Sequence, residues 1–287
     1  MTRVALRHLI VTGLACAVLV VAGGCDTLQK AIAGAPKPTA KIRDVRLRDL
    51  TLAGAAMDFD VEVSNPYGVP LPVAAIDYQL ASRGASFLSG RLDDAPAIGA
   101  HGSRVLTVPT QLDFASLLAS VKGVRPGAIV PYSAGLTVNL DAPGVGPVAV
   151  PLSKKGTVPV PAVPDVSLEG VRWTDLSFDA ASAVMTVTIG NTNAFPLDVS
   201  QLNYALALGG VEVADAGLSK AMSIRPGTST SIEIPLSFSP KSLGLAAFNM
   251  LTGSGASYDL SGGLAAGTPF GPITLPFSRS GQTSFGH

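Results

Sequence analysis

The stretch MDFDVEVSNPYGVPLPVAAIDYQL, from Met57 to Leu80, has the pattern of a strand, a corner and a second strand. From Met57 to Ser64 apolar and polar residues alternate without a break, which is the period of a half-buried β-strand. Asn65 and Pro66 end this strand, because proline has no N–H for the ladder and an asparagine side chain can bond nearby backbone. The alternation resumes around Tyr78. The pattern predicts that the apolar side chains are buried and that the acids of the first strand lie in water.

The same pattern occurs again 126 residues later, as AVMTVTIGNTNAFPLDVSQLNYAL from Ala183 to Leu206. The second copy has Thr192 where the first has Pro66, but it keeps the asparagine, the Pro-Leu pair and the alternation. We therefore interpret the stretch as a structural corner that the chain uses twice. The matched residues of this motif are Asn65 with Asn191, Pro70 with Pro196 and Tyr78 with Tyr204.

The internal match continues to the end of the chain, where the offset becomes 125 and pairs Gly156 with Gly281. A period of this length is a whole domain rather than a solenoid unit. We expect one domain over residues 41–157 and a second over residues 166–284. Residues 158–165 contain alternating prolines, which favour an extended, semi-rigid linker.

Each domain is predicted to be mainly β, as an antiparallel β-sandwich with one short helix. Short alternating segments separated by Gly, Pro, Asn and Asp turns are typical of such sandwiches. The first helix is expected from Asp113 to Lys122, with Asp113 as its N-cap. The second is expected from about Ser239 to Leu251, with Pro240 in its first turn.

The first 24 residues have the three parts of a secretory signal peptide. Two arginines precede an uncharged apolar run from Leu9 to Ala22, and Gly23-Gly24-Cys25 follows. This junction resembles a bacterial lipobox, in which the cysteine is acylated and becomes the first residue. Cys25 would have no disulfide partner, since the other cysteine lies within the signal, and lipidation accounts for it. The alternative is an ordinary secretory signal followed by an incidental cysteine.

Lipidation at Cys25 predicts a lipoprotein anchored in a membrane of the bacterial cell envelope, on the periplasmic side. Several acyl chains hold a protein firmly, whereas one chain holds it only marginally. Residues 25–40 would then be a tether. Both the inner and the outer membrane stay open as the site of the anchor, and Asp26 favours the inner one only weakly.

The mature chain would carry 18 basic and 20 acidic side chains, because the signal holds two of the 20 basic residues and no acid. Nucleic-acid binding, which needs a basic surface, is not expected. The hydrophobic content of 47% against 14% charged residues excludes a disordered composition. A basic segment interrupted by acids predicts a solvated strand face, with contact to lipid headgroups as the alternative; it contains Lys41, Arg43, Arg46 and Arg48.

The order of motifs resembles the late-embryogenesis-abundant type 2 family, also called the water-stress-and-hypersensitive-response domain family. The resemblance rests on the Asn-Pro strand end, Pro-Leu-Pro, the Tyr-x-Leu strand, a glycine turn, Val108-Pro109 and a leucine-rich helix. It covers residues 41–157 and 166–284. The resemblance implies a fibronectin-III-like β-sandwich with one helix, no established active site, and a role in desiccation and other water stress.

No catalytic or cofactor site is predicted. His101 lies in a glycine-rich turn and His287 is the last residue, and neither has a cysteine or carboxylate at ligand spacing. Asp58, Asp60 and Glu62, with Asp93 and Asp94, could form a calcium site, but a solvated face is the favoured interpretation. Trp173 could stack on a ligand, although a partly buried core position is favoured.

Two functional classes follow from these patterns. The first is a non-catalytic envelope protein that protects membranes or client proteins during water loss. The second is a binding or assembly module that captures a peptide, a lipid or a partner protein at exposed sheet edges or between the domains. The client and the oligomeric state cannot be predicted from the sequence.

Overall fold

The computed structural model describes residues 36–219 and 221–286 of the 287-residue chain. The signal sequence, Cys25 and His287 therefore lie outside the described residues. Most of the described chain is β-strand, and the strands fall into the two domains that the internal repeat predicts.

The first domain contains seven strands in two antiparallel sheets. The strands are β1 Thr39–Arg48, β2 Gly54–Ser64, β3 Val73–Ser82, β4 Ala85–Leu92, β5 Ser103–Asp113, β6 Ile129–Ala142 and β7 Gly146–Pro159. One sheet has the order β1-β2-β5 and the other the order β4-β3-β6-β7. A three-stranded sheet that faces a four-stranded one in this order is the fibronectin-III-like arrangement, so the predicted fold class is confirmed.

The second domain repeats the same plan. Its strands are β8 Asp165–Leu176, β9 Ala181–Gly190, β10 Leu197–Leu208, β11 Val211–Leu218, β12 Met222–Ile224, β13 Ser229–Phe238, β14 Gly255–Thr268 and β15 Gly271–Gly286. The order β8-β9-β13 matches β1-β2-β5, and β11-β10-β14-β15 matches β4-β3-β6-β7. Short parallel pairing of Ser284–Gly286 with Gly170–Arg172 joins the two sheets of this domain along one edge.

Short helices follow the fifth strand of the first domain and its counterpart β13. Helix α1, Phe114–Ser120, begins at the predicted N-cap, since the Asp113 carboxylate accepts a 2.6 Å hydrogen bond from the backbone N–H of Ser116. The single second helix that the sequence predicts is instead two helices, α2 Pro240–Leu243 and α3 Leu245–Leu251. Gly244 separates them because its φ of 94° lies in a region that only glycine adopts readily.

The core follows the predicted alternation. The inward side chains of β2 and β9 are all buried: Met57, Phe59, Val61 and Val63 in the first domain, and Ala183, Met185, Val187 and Ile189 in the second. Both domains therefore bury the apolar half of each strand between their two sheets, as the period of two requires.

In each domain a tyrosine on one strand covers a glycine on the neighbouring strand, and this tyrosine–glycine pair is part of the internal repeat. Tyr132 on β6 lies opposite Gly156 on β7, and Tyr258 on β14 lies opposite Gly281 on β15. A Cβ atom at Gly156 would lie 2.6 Å from the Tyr132 hydroxyl, and one at Gly281 would lie 2.8 Å from the Tyr258 ring. A larger residue would displace the ring, so the glycine occurs opposite the tyrosine in both domains.

The boundaries of the domains differ from those predicted by a few residues. Strand β1 begins at Thr39, inside the expected tether, and β15 continues to Gly286, beyond the expected end at 284. Strand β7 extends to Pro159 and β8 begins at Asp165, so only residues 160–164 connect the domains. Val160 is buried whereas Val163 is 50% exposed, so the linker packs against protein along part of its length.

Candidate functional site

The corner of the first domain is organised by the buried side chain of Asn65. Its amide nitrogen donates to the backbone oxygens of Val69, Ile98 and Gly99 at 2.8, 3.1 and 2.9 Å. Its Oδ1 accepts from the backbone N–H of Tyr67 at 2.9 Å. Pro66 follows directly, and Pro70 precedes a bridge between Leu71 and Ile98. All the polar atoms of this side chain are used inside the corner, which leaves none for a ligand.

Asn191 does the same in the second domain. Its amide nitrogen donates to the backbone oxygens of Phe195 and Ile224 at 2.8 and 3.0 Å. Its Oδ1 accepts from the backbone N–H of Asn193 at 3.0 Å. Pro196 precedes the start of β10, where Leu197 pairs with Ile224. The two tyrosines of the predicted motif serve packing: Tyr78 covers Gly90 and Tyr204 is buried.

The junction between the domains is formed by the corner loop of the second domain, the linker and a turn of the first domain. Asn193 is buried and binds Ala162 twice: Oδ1 accepts from the Ala162 N–H at 2.8 Å, and Nδ2 donates to the Ala162 oxygen at 3.2 Å. Gly127 donates to the Val160 oxygen at 2.6 Å and accepts from the Ala194 N–H at 2.7 Å. These bonds connect both domains through the linker.

Charged side chains on the outer face of the β1-β2-β5 sheet form a ladder of ion pairs. Arg48 holds Asp58 through two hydrogen bonds of 2.8 and 3.1 Å, and Arg46 holds Asp60 in the same way, with one bond of 3.0 Å. Glu62 contacts Arg43 at 2.7 Å and Lys41 at 2.9 Å. We call these seven residues the ion-pair ladder.

The ladder corrects the expectation that the acids of β2 lie in water. Asp58 and Asp60 are only 6% and 8% exposed, because the arginine side chains of β1 lie over them. Thr107 on β5 also donates to Asp60 at 2.8 Å. The basic segment of β1 is likewise an ion-paired face and not merely a solvated one.

Pairing changes the titration of the more exposed members of the ladder. Hydrogen bonds from Arg43 and then Lys41 lower the pKa of Glu62 below its ordinary value. Hydrogen bonds to Asp58 and to Glu62 raise the pKa of Arg48 and of Arg43, respectively. Both shifts favour the charged forms of Glu62, Arg43 and Arg48.

Three of the carboxylates considered for calcium, Asp58, Asp60 and Glu62, are paired with the basic side chains of the ladder. Asp93 lies 2.5 Å from Arg91, outside the ladder. Over residues 36–219 and 221–286, no group of three or more His, Cys, Asp or Glu side chains is arranged to hold a metal ion.

The matching face of the second domain carries hydroxyl groups in place of the ladder. The positions of Asp58, Asp60 and Glu62 are taken by Val184, Thr186 and Thr188. Thr188 on β9 and Ser231 on β13 share a 2.9 Å hydrogen bond between their hydroxyls. The outer faces of the two domains thus differ, one being charged and self-paired and the other rich in serine and threonine.

Five aromatic rings gather at the end of the second domain that lies away from the linker. Trp173 packs edge-to-face against Phe238 and Phe285, with ring centroids 6.1 and 5.6 Å apart, and Phe178 packs in the same way against Phe248 at 5.5 Å. We call this region the aromatic end. Trp173 is only 4% exposed, whereas Phe178 is 37% exposed and the nearby Leu245 is 64% exposed.

A crevice of about 420 Å³ opens beside the aromatic end. It is lined by Trp173, Thr174, Asp175, Leu176 and Thr252. A second crevice of about 420 Å³ lies at the linker, between Val163–Val166 and Pro276–Arg279.

Sequence reasoning did not find the ladder or the role of Asn193. The sequence does contain a signal for the ladder, since basic residues recur on one predicted strand and acidic residues on the next. No sequence signal indicates the role of Asn193, because its partner Ala162 belongs to the linker and the contact depends on how the two domains meet. Within the described residues, no helix is long and apolar enough to cross a membrane.

Comparison with known proteins gives the same result for both halves of the chain. A family model described as late embryogenesis abundant protein matches residues 60–156 and 186–281. Similar curated proteins include a desiccation protectant protein Lea14 homolog from Glycine max, 31% identical over 46% of this chain and 86% of that protein. Another is the late embryogenesis abundant protein Lea14-A from Gossypium hirsutum, 30% identical over 49% of this chain and 93% of that protein.

The solved structures that resemble the chain include two solution structures. One is of a late embryogenesis abundant protein, 27% identical over 48% of this chain and 79% of that chain, with a TM-score of 0.39. The other is of an Arabidopsis thaliana protein, 26% identical over 45% of this chain and 86% of that chain, with a TM-score of 0.38. The two curated relatives each match less than half of this chain but most of their own length, as expected if one domain here corresponds to one relative.

Proposed function

The chain belongs to the late embryogenesis abundant family, with two tandem copies of the family domain, and from this premise we propose that it protects membranes or client proteins during water loss. The protein acts without catalysis, as a lipoprotein of the bacterial cell envelope anchored through Cys25. The names of similar proteins, which include a desiccation protectant, support the link to water stress.

The observation that carries this proposal is the polar character of the two outer faces. The hydroxyls of the second domain, including Thr186, Thr188 and Ser231, can donate and accept hydrogen bonds at a client surface as its hydration shell is lost. The ion-pair ladder satisfies its own charges, so the first domain does not depend on bulk water to separate them. Both domains should therefore keep their fold and a hydrogen-bonding surface as water activity falls.

Drying experiments test the protective role. A labile model enzyme or phospholipid vesicles are dried and rehydrated with the protein, with an equal mass of albumin, or alone. We expect the protein to preserve more enzyme activity, or to retain more vesicle contents, than albumin does. Protection no better than that by albumin would contradict the proposal.

Metabolic labelling tests the anchor. Cells that express the wild type or Cys25→Ala are fed a palmitate analogue, and the label on the protein is measured. We expect label on the wild type and its loss in the variant. Equal labelling of both proteins would place the lipid elsewhere and remove the support for anchoring at Cys25.

The second candidate function is an envelope binding or assembly module. The crevice at the linker favours it, because Val163–Val166 and Pro276–Arg279 form a concave surface of mixed polarity. A stoichiometric partner captured at ordinary hydration, together with no protection on drying, would favour this function over the first.

A further inference from the structure

Three exposed lysines lie where the chain enters the first domain. Lys37 comes two residues before Thr39, the first residue of β1. Lys154 and Lys155 are neighbours on β7, and β7 is in contact with β1 along one edge of the sandwich. We call Lys37, Lys154 and Lys155 the entry lysines. They come from distant parts of the sequence, so the fold brings them to one region of the surface.

The internal repeat locates Lys154 beside the start of β1. Thr39 and Lys154 occupy the positions that Asp165 and Arg279 occupy in the second domain. There the Arg279 guanidinium lies 3.9 Å from the Asp165 carboxylate, so these two strand positions are neighbours. The first domain keeps the basic residue but has a threonine in place of the aspartate. The second domain therefore pairs its cation at this point, and the first domain does not.

Other charges of this region do not neutralise the entry lysines. Within residues 36–219 and 221–286, no ion pair contains any of the three. Glu62 is the carboxylate of the ion-pair ladder closest to the start of β1, and it is already held by Arg43 and Lys41. The surface around the start of β1 therefore carries an excess of positive charge that faces solvent.

We propose that the entry lysines bind the anionic phospholipid headgroups of the membrane that holds the protein. The inference rests on the proposed anchor at Cys25, which sets where the membrane lies. Residues 26–38 can extend by at most about 45 Å, so the start of β1 stays near the bilayer. Cationic side chains are attracted to an anionic membrane within about one Debye length, roughly 8 Å in physiological salt. The entry lysines lie at the part of the first domain that the tether brings closest to the headgroups.

The arrangement of the entry lysines fits a charged surface better than a single small anion. All three side chains are exposed, and neither of the two crevices described above includes them. A lysine ammonium group is a compact charge on a flexible stem, and it does not impose the fixed geometry that an arginine fork does. Such groups attract a layer of headgroups without selecting one ligand. Their contact adds to the acyl anchor and holds the first domain against the bilayer.

Lysine modification in vesicles tests the proposal with the full chain. The protein is reconstituted into phosphatidylcholine vesicles with or without phosphatidylglycerol, acetylated briefly with an uncharged reagent, and each lysine is quantified by mass spectrometry. We expect the entry lysines to react severalfold more slowly in the anionic vesicles at low salt and equally fast in both at high salt. Lys241, which is 66% exposed in the second domain, is the internal control and should react equally in both.

Three results would overturn the proposal. They are equal rates for the entry lysines in both vesicles, the same slowing at Lys241, and protection by soluble glycerol phosphate in phosphatidylcholine vesicles, which would indicate a site for a free anion. Flotation of the protein with phosphatidylcholine vesicles reports the anchor alone. A failure of the anchor and a failure of the entry lysines are therefore separate results.

A double variant and a matched control assign the contact. Lys37→Gln with Lys155→Gln leaves Lys154 as the reporter, and each lost lysine should weaken the attraction about fivefold, so Lys154 should lose most of its protection in anionic vesicles. Lys122→Gln removes an exposed lysine of the same domain that follows α1, and it should leave the protection of Lys154 unchanged. Unfolding temperatures establish that both variants are folded. Full protection of Lys154 in the folded double variant, or an equal loss in Lys122→Gln, would overturn the assignment.

Discussion

The backbone N–H of Ala162 donates a 2.8 Å hydrogen bond to Oδ1 of Asn193, and this bond joins the linker to the corner loop of the second domain. Asn193 also donates to Oδ1 of Asn191 at 3.1 Å. Because Asn191 organises the corner itself, the linker is bound to a rigid part of the second domain. The linker is therefore held in place by these bonds and does not act as a free spacer between the two domains.

Replacing Asn193 with alanine should loosen the junction without unfolding either domain. The Ala162 N–H loses its acceptor, so we expect faster hydrogen exchange across residues 158–165 and little change elsewhere in the β-sheets. Thr192→Ala in the same loop is the control, because the Thr192 side chain is exposed and its bond to the Val163 oxygen is longer, at 3.3 Å. Equal exchange in wild type and Asn193→Ala would show that this bond does not hold the linker.

Gly127 tests the other side of the junction. It adopts a φ of +88°, and a Cβ atom there would lie 2.7 Å from the backbone oxygen of Thr192. Gly144 has a similar φ of +74° with nothing within 4 Å, so Gly144→Ala measures the backbone cost alone. We expect Gly144→Ala to lower the free energy of unfolding by about 1 kcal/mol and Gly127→Ala by about 1–2 kcal/mol more. Equal losses in denaturant titrations of the two variants would mean that the domains do not meet as described.

The corner and the alternation were predictable because they depend on neighbours in sequence. Asn65 bonds to Val69 only four residues away, and the buried face of β2 follows from its period of two. Contacts between segments distant in sequence were not predictable in this way. Asn193 is buried because it bonds to Ala162, 31 residues away in the linker, and no pattern in the sequence shows how the two domains meet.

The helical segment of the second domain shows that a periodic pattern can also mispredict local structure. Apolar spacing from Leu243 to Met250 predicts one helix, but Gly244 stands between two short ones. Glycine weakens a helix interior, and here the chain uses its positive φ to change direction. A single residue thus overrides a periodic pattern of several.

Asn191→Ala should destabilise the second domain strongly. The change removes two donors to the backbone oxygens of Phe195 and Ile224 and an acceptor for Asn193, all in a buried loop. We expect a loss of about 2–4 kcal/mol in the free energy of unfolding, measured by denaturant titration of Trp173 fluorescence. Asn203→Ala on the exposed side of β10 is the matched control and should change the free energy by less than about 0.5 kcal/mol. A loss as small as that of the control would exclude a structural role for the corner asparagine.

The ion-pair ladder predicts how acid affects the first domain. Pairing with Arg43 and Lys41 lowers the pKa of Glu62 in the folded state, so the unfolded state takes up its proton at higher pH. The stabilisation from Glu62 is therefore complete above the ordinary glutamate pKa and is lost as pH falls through the lowered folded value.

A comparison of Glu62→Gln with wild type at two pH values tests this sign. At pH 7 we expect the variant to unfold about 1–2 °C lower, a small change because the basic partners are half exposed and screened by water. At a pH below the lowered folded pKa of Glu62 the wild-type carboxyl is protonated and resembles the glutamine, so the difference in unfolding temperature should nearly vanish. Glu233→Gln, at an exposed position of β13 in the second domain, is the control for the loss of a surface carboxylate outside the ladder. A difference between Glu62→Gln and wild type that is constant with pH would mean that the charge of Glu62 contributes nothing to the fold.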